Sequence, residues 1–311
     1  MQKRKAMQNS NLKWIYLIGL ALVWGTSFIL IKKGLVGLTP IQLGALRTTF
    51  AALFLFIIGF KSVFKIKKHH WKWISISAAI GTFFPAFLFA FAELEIDSAI
   101  VSILNSTVPI LSVIFGFLLF KTVSTDKQIT GVIIGLIGSI LLIVSGATFN
   151  EGQNYWYAIL PLIATSMYAI NVHVIKNYLH DIPALSITVG CFTVLFVPAL
   201  MVLVFSGFFS EEVLLDPAAQ TSMWYILILA VIGTGIAKIL FNRLVQISTP
   251  VFSTSVTYLI PVVALIWGFL DGENLNFWQL LSGLLIFVGV YYANKKRKKK
   301  TDSVVTKSVL E

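Results

Sequence analysis

The chain has 311 residues, 57% of them apolar and 12% charged, with one cysteine and a formal net charge of +11. Soluble domains carry roughly 25% charged residues, so there is too little polar surface here to clothe a soluble protein of this length. The lone Cys191 excludes a disulfide framework and reads as a small core residue.

Ten apolar stretches follow one another, each long enough to cross the ~30 Å hydrocarbon layer at about 1.5 Å per helical residue. The predicted spans are 14–31, 41–60, 73–92, 98–120, 129–146, 155–175, 185–206, 223–243, 250–270 and 276–293. Runs such as Trp14–Ile31 and Ile129–Ser145 are continuously apolar. Barrel strands would alternate, so helices are predicted. The first span has basic flanks but no small-residue cleavage site, and reads as a retained helix. No gap between spans holds a soluble domain.

The charges follow the spans. With the N-terminus cytoplasmic, most Lys and Arg fall on the cytoplasmic side: Lys3, Arg4, Lys5 and Lys13, then Lys61, Lys65, Lys67, Lys68 and Lys72, then the C-terminal tail. The external loops take Glu93, Glu95, Asp97, Glu151, Glu211, Glu212, Asp216, Asp271 and Glu273. This positive-inside pattern predicts a multi-pass protein of the cell membrane with both termini cytoplasmic. It accounts for the positive charge without nucleic acid. Lys32 and Lys33 break the pattern at the outer end of the first span. Residues 295–300 read KKRKKK, which suits anionic lipid headgroups or a plain topological anchor.

Residues 80–140 align with 232–292 without a gap. Ile80-Gly81-Thr82 matches Ile232-Gly233-Thr234, Pro109 matches Pro261, Gly116-Phe117-Leu118 matches Gly268-Phe269-Leu270, and Gly131 matches Gly283. The division is 1–147, 155–294 and a basic tail, 295–311. Five spans per half is an odd number, so the second half enters the membrane from the opposite side. The predicted fold is all-α: ten transmembrane helices in two inverted five-helix repeats around a central cavity, an arrangement of many secondary transporters.

At these residues the chain resembles the EamA type of the drug/metabolite transporter superfamily. The resemblance rests on Trp24-Gly25-Thr26-Ser27-Phe28, Arg47, Asn105-Ser106-Thr107-Val108-Pro109 with Gly116, Phe241-Asn242, Tyr258-Leu259-Ile260-Pro261, Gly268 and Gly272-Glu273. It implies ten helices in two inverted repeats and movement of small metabolites, often outward. One departure is that Lys121 stands where the family carries a Glu equivalent to Glu273.

Polar groups at membrane depth cost about 2.5–3.5 kcal/mol when charged, so they are the candidate substrate ligands. Lys238 either faces the cavity to hold an anionic group or snorkels to the interface. Arg47 either serves an outer vestibule or snorkels. Asn105 and Asn171 either bind substrate or hydrogen-bond a neighbouring helix. His173, two residues from Asn171, falls on another face and reads as a packing histidine. Trp24, Tyr168 and Tyr258 either line the cavity or fill the core. Pro109 and Pro261 are predicted paired helix bends. Gly131 and Gly135 suit close helix packing. No carboxylate occupies the centre of a span, so no proton site is legible.

These features predict a secondary transporter moving small metabolites by alternating access, amino acids outward being the most plausible case. The alternatives are a xenobiotic exporter and, from another class, a non-transporting membrane scaffold. The chain carries no Walker lysine motif, no HExxH and no paired carboxylates, so neither an ATP-driven pump nor an enzyme is expected. No cofactor or metal is expected, and no feature fixes an oligomeric state.

Overall fold

The computed structural model describes residues 2–96, 98–146, 154–270 and 277–294. Among them all regular structure is helical, with no strand. In chain order these are α1 (Gln2–Gly34), α2 (Pro40–Gly59), α3 (Lys68–Ala78), α4 (Phe84–Glu95), α5 (Ser98–Asn105), α6 (Val108–Phe120), α7 (Asp126–Gly146), α8 (Ile159–Tyr178), α9 (Ala184–Phe205), α10 (Glu211–Leu214), α11 (Pro217–Ile228), α12 (Ala237–Ile247), α13 (Pro250–Thr254), α14 (Val256–Leu270) and α15 (Phe277–Ala293). Two π-helical segments, Ala79–Phe83 and Leu229–Ile236, join α3 to α4 and α11 to α12. Among the described residues, eight helical runs are long and apolar enough to cross a bilayer, Lys68–Glu95 and Pro217–Ile247 being two of them. Two shorter apolar helices follow, Pro250–Val263 and Leu280–Ala293. This is a multi-pass membrane protein, because in lipid each span must satisfy its own backbone hydrogen bonds.

Local chemistry sets the span boundaries. Thr39 and Gln42 form a capping box before Pro40, and Thr249 and Asp216 cap the starts at Pro250 and Pro217. Proline suits the first turn, where its missing N–H would have had no partner. At the Gly34 end of the bundle, Gly37 N–H donates to Ser222 Oγ (3.1 Å) and Gln42 Nε2 to the Ser206 carbonyl (3.2 Å). At the Lys13 end, Lys176 Nζ reaches the carbonyls of Val245, Gln246 and Ser248 (3.0, 2.9 and 2.6 Å), where α12 finishes and its dipole is negative. The α7–α15 seam is a backbone contact. A Cβ on Gly131 would lie 2.4 Å from Ala293 N, and one on Gly289 would lie 2.5 Å from Gly135 N.

Three expectations change. The stretch 98–120 is not one bent helix: α5 ends at Asn105, Ser106 and Thr107 turn, and Pro109 sits in the first turn of α6. The helix restarts where proline costs no hydrogen bond. Pro261 does lie inside a helix, and the chain breaks earlier, at Ser255. Glu93 belongs to α4 rather than to a loop, because that helix runs on to Glu95. Asp97, Glu151, Asp271, Gly272-Glu273 and the tail 295–311, the expected site of anionic lipid headgroups, lie outside the described residues.

Candidate functional site

A cavity of ≈ 120 Å³ lies between α1, α2, α4, α5, α6, α8, the second π segment, α12, α13 and α14. From α1 come Trp24, Ser27 and Ile31, spaced along one helical face. Pro85 and Phe89 come from α4, and Tyr168, Asn171 and Val172 from α8. Room for water beside polar walls marks the place where a small solute can sit.

The two π segments organise its polar wall. Each carries the tripeptide Ile-Gly-Thr, at 80–82 and at 232–234. A π turn widens the helix and recurs at functional sites. In the first, the Gly81 carbonyl accepts from Lys238 Nζ. In the second, the Gly233 carbonyl accepts from Trp24 Nε1 (3.0 Å), and Thr234 Oγ1 accepts from Arg47 Nε (2.7 Å). Lys238 Nζ also lies 5.4 Å from the Tyr168 ring centre, within cation–π range. Tyr168 in turn stacks on Phe89, with centroids 6.0 Å apart.

Asn171 presses its amide on Gly81, where a Cβ would lie 2.3 Å from Nδ2. Only glycine leaves room for that amide. Its Oδ1 is buried without a hydrogen-bond partner. Neither Arg47 nor Lys238 forms an ion pair among the described residues. A cation at membrane depth without an ion pair is costly, so Arg47 and Lys238 give the cavity an anion-attracting wall.

Of the residues singled out in the sequence, Trp24, Asn105, Tyr168, Asn171 and Lys238 line this cavity. Arg47, expected in a separate outer vestibule, lines the same cavity. Lys238 faces inward rather than snorkelling. Tyr258 does not reach the cavity. It is fully buried, its hydroxyl donates to the Val132 carbonyl (2.8 Å), and its ring covers Gly135. The cavity face of α14 carries Val256, Thr257 and Ile260, and Tyr258 falls on another azimuth. Pro109 and Pro261 are not in the wall. His173 packs away from it, its Nε2 at 2.8 Å from the Ser112 carbonyl and its ring on Phe120. Sequence reasoning missed Phe89, Thr257 and the π segments. The repeated Ile-Gly-Thr was the available signal for the last.

A second polar cluster lies at the Lys13 end. His70 Nε2 meets both carboxylate oxygens of Asp181 at 3.1 and 3.0 Å, with His69 beside them. The Asp181 carboxyl is held below its ordinary range. Its slight burial acts the other way and is outweighed by hydrogen bonds from its own backbone N–H and from His70, with the charges of His70 and His180. Trp73 and Tyr178 stack beside this pair at 3.6 Å.

The sequence profile of the EamA-like transporter family matches the chain twice, at residues 12–144 and 155–295. The chain is 28% identical over 285 residues to the uncharacterized transporter YoaV of Bacillus subtilis, covering 88% of this chain and 94% of that one. It is 26% identical to the uncharacterized inner membrane transporter YedA of Escherichia coli, covering 88% of each. Protein PecM of Dickeya dadantii is 28% identical over 272 residues, 85% of this chain and 86% of its own. A crystal structure with 16% identity superposes with a TM-score of 0.71 over 91% of this chain and 96% of its own, a likeness of fold. The chain belongs to the EamA-like transporter family.

Proposed function

We propose that this protein is a secondary carrier of the cell membrane that moves small carboxylate-bearing metabolites outward by alternating access, amino acids foremost. Ten spans form two inverted five-helix repeats, 1–147 and 155–294, with both termini cytoplasmic. The double profile match and the two π segments at matching positions support the duplication. Two similar halves of opposite orientation give inward-open and outward-open states of comparable free energy, which alternating access requires.

The observation that carries the substrate reading is the pair of cavity cations, Lys238 and Arg47, neither in an ion pair among the described residues. A carboxylate between them meets both charges. Asn171 offers the substrate an unused oxygen, and Trp24 and Tyr168 offer aromatic walls.

The test is a survey of amino acids in medium and cytosol for strains with the protein, without it, and with Lys238→Ala. One or more amino acids accumulate inside the deletion strain, and Lys238→Ala behaves like the deletion. An unchanged amino-acid profile, with lost resistance to amphipathic toxic compounds, would replace this reading by xenobiotic export. An unchanged profile with unchanged resistance would favour a scaffold.

A further inference from the structure

Glu93 has a place the cavity description does not use. Both its carboxylate oxygens are buried and lack a hydrogen-bond partner. On α4, Pro85, Phe89 and Glu93 succeed one another at four-residue spacing, and the first two line the cavity. Residues at this spacing share a face, so Glu93 continues the cavity stripe about 6 Å further along the helix. In the topology proposed above, this is the outer end of the cavity.

The elements packed on α4 are α8, α2, the first π segment, the turn Tyr155–Ala158 and α5. From α2 comes Arg47, and from α1 Lys32, the two cations that act on Glu93 electrostatically. Tyr168 from α8 and Tyr157 from the turn Tyr155–Ala158 pack in the same apolar cluster as Phe89, Ala92 and Val101. Neither α5 nor the first π segment carries an ionisable side chain. Glu95, two residues on, is exposed and lies about 200° around the helix. Arg47 is near Glu93 but is not ion-paired with it; its Nε is on Thr234.

A carboxyl in such a setting has two tolerable forms, neutral with its proton or ionised against a cation. Arg47 is the cation it shares with the cavity. We propose that Glu93 binds and releases a coupling proton, and that Glu93 and the substrate's anionic group compete for Arg47. When substrate occupies Arg47, Glu93 holds a proton. When substrate leaves, the O–H bond breaks, the proton passes to water on the side then open, and the carboxylate takes Arg47. One proton therefore travels with each substrate anion, in the same direction. Efflux down the substrate's own gradient carries the proton outward with it. This rests on the carrier reading above and adds its coupling ion and the sign of coupling.

The test uses the full chain in liposomes with the voltage clamped at zero and a mixture of radiolabelled proteinogenic amino acids as probe. With the exterior one pH unit more acid, one co-transported proton drives inward accumulation of about tenfold. In Glu93→Gln the accumulation is absent. In Glu93→Asp, which keeps the carboxyl, it persists. Accumulation by Glu93→Gln equal to wild type would overturn the proposal, as would expulsion of the probe under the same gradient, the sign of exchange. A second arm needs no substrate. On acidification the infrared spectrum of the wild-type protein gains a protonated-carboxyl band that Glu93→Gln lacks; identical pH-difference spectra would overturn the proposal. If wild type carries none of the mixture while the band difference is present, the amino-acid reading fails and the proton site stands.

Discussion

The two π segments carry the same Ile-Gly-Thr and offer a glycine carbonyl at the same step, yet they receive different donors. Gly81 accepts from the Lys238 ammonium and Gly233 from the Trp24 indole. The threonine of the second segment also holds Arg47 at 2.7 Å. A duplicated backbone device thus serves charge in one place and aromatic positioning in the other. The backbone geometry is shared, and the chemistry comes from whichever helix faces it. In the proposed carrier, similar halves allow two conformations of comparable energy, and the differing side chains make one cavity selective.

Removing the donors separates the two carbonyl sites. Lys238→Ala removes a charged hydrogen bond of about 1.5–3 kcal/mol, so transport falls roughly ten- to hundredfold. Trp24→Phe removes a neutral one of about 0.5–1.5 kcal/mol and costs at most about tenfold. Initial rates at equal protein in the membrane measure both. Equal losses would mean that the two carbonyls serve the same purpose.

The acceptors can be tested next. A Cβ on Gly81 meets the Asn171 amide at 2.3 Å, and one on Gly233 meets Leu229 Cδ1 and Ser27 Oγ at 2.9 Å. Gly81→Ala costs about 1–3 kcal/mol by overpacking, and Gly233→Ala less, because its neighbours stand further off. Thermal unfolding in detergent gives the order. Thr234→Val then deprives Arg47 of its acceptor and lowers stability by about 1–3 kcal/mol, the cost of an unsatisfied buried donor.

The smallest effect lies away from both segments. The Asp181 carboxyl is held below its ordinary range, so its contribution is present above that range and is lost as pH falls through the folded-state value. At 47% exposure the pair with His70 is worth well under about 1 kcal/mol after screening. Wild type therefore loses slightly more stability than Asp181→Asn on acidification through the carboxylate range, and parallel melting curves would contradict this.

Much of the spans and the main polar groups of the cavity wall were legible in the sequence because a polar group in lipid carries a cost that needs a reason. Trp24, Asn105, Tyr168, Asn171 and Lys238 stood out against apolar runs and do line the cavity. Tyr258 misled because α14 is buried on several faces, and composition then carries no information about azimuth. Glu93 reads as a loop residue because hydropathy drops there, although the helix continues to Glu95. The break at Ser106–Thr107 and the π turns depend on tertiary contacts, which periodicity does not encode.

The most direct test of alternating access is chemical access to the cavity from each side. With Cys191→Ser as background, Ser27→Cys places one thiol in the cavity wall. A membrane-impermeant maleimide is applied to right-side-out and to inverted vesicles. Alternating access gives labelling from both sides, each blocked by substrate. Labelling from one side alone, under every substrate and pH condition, would contradict it.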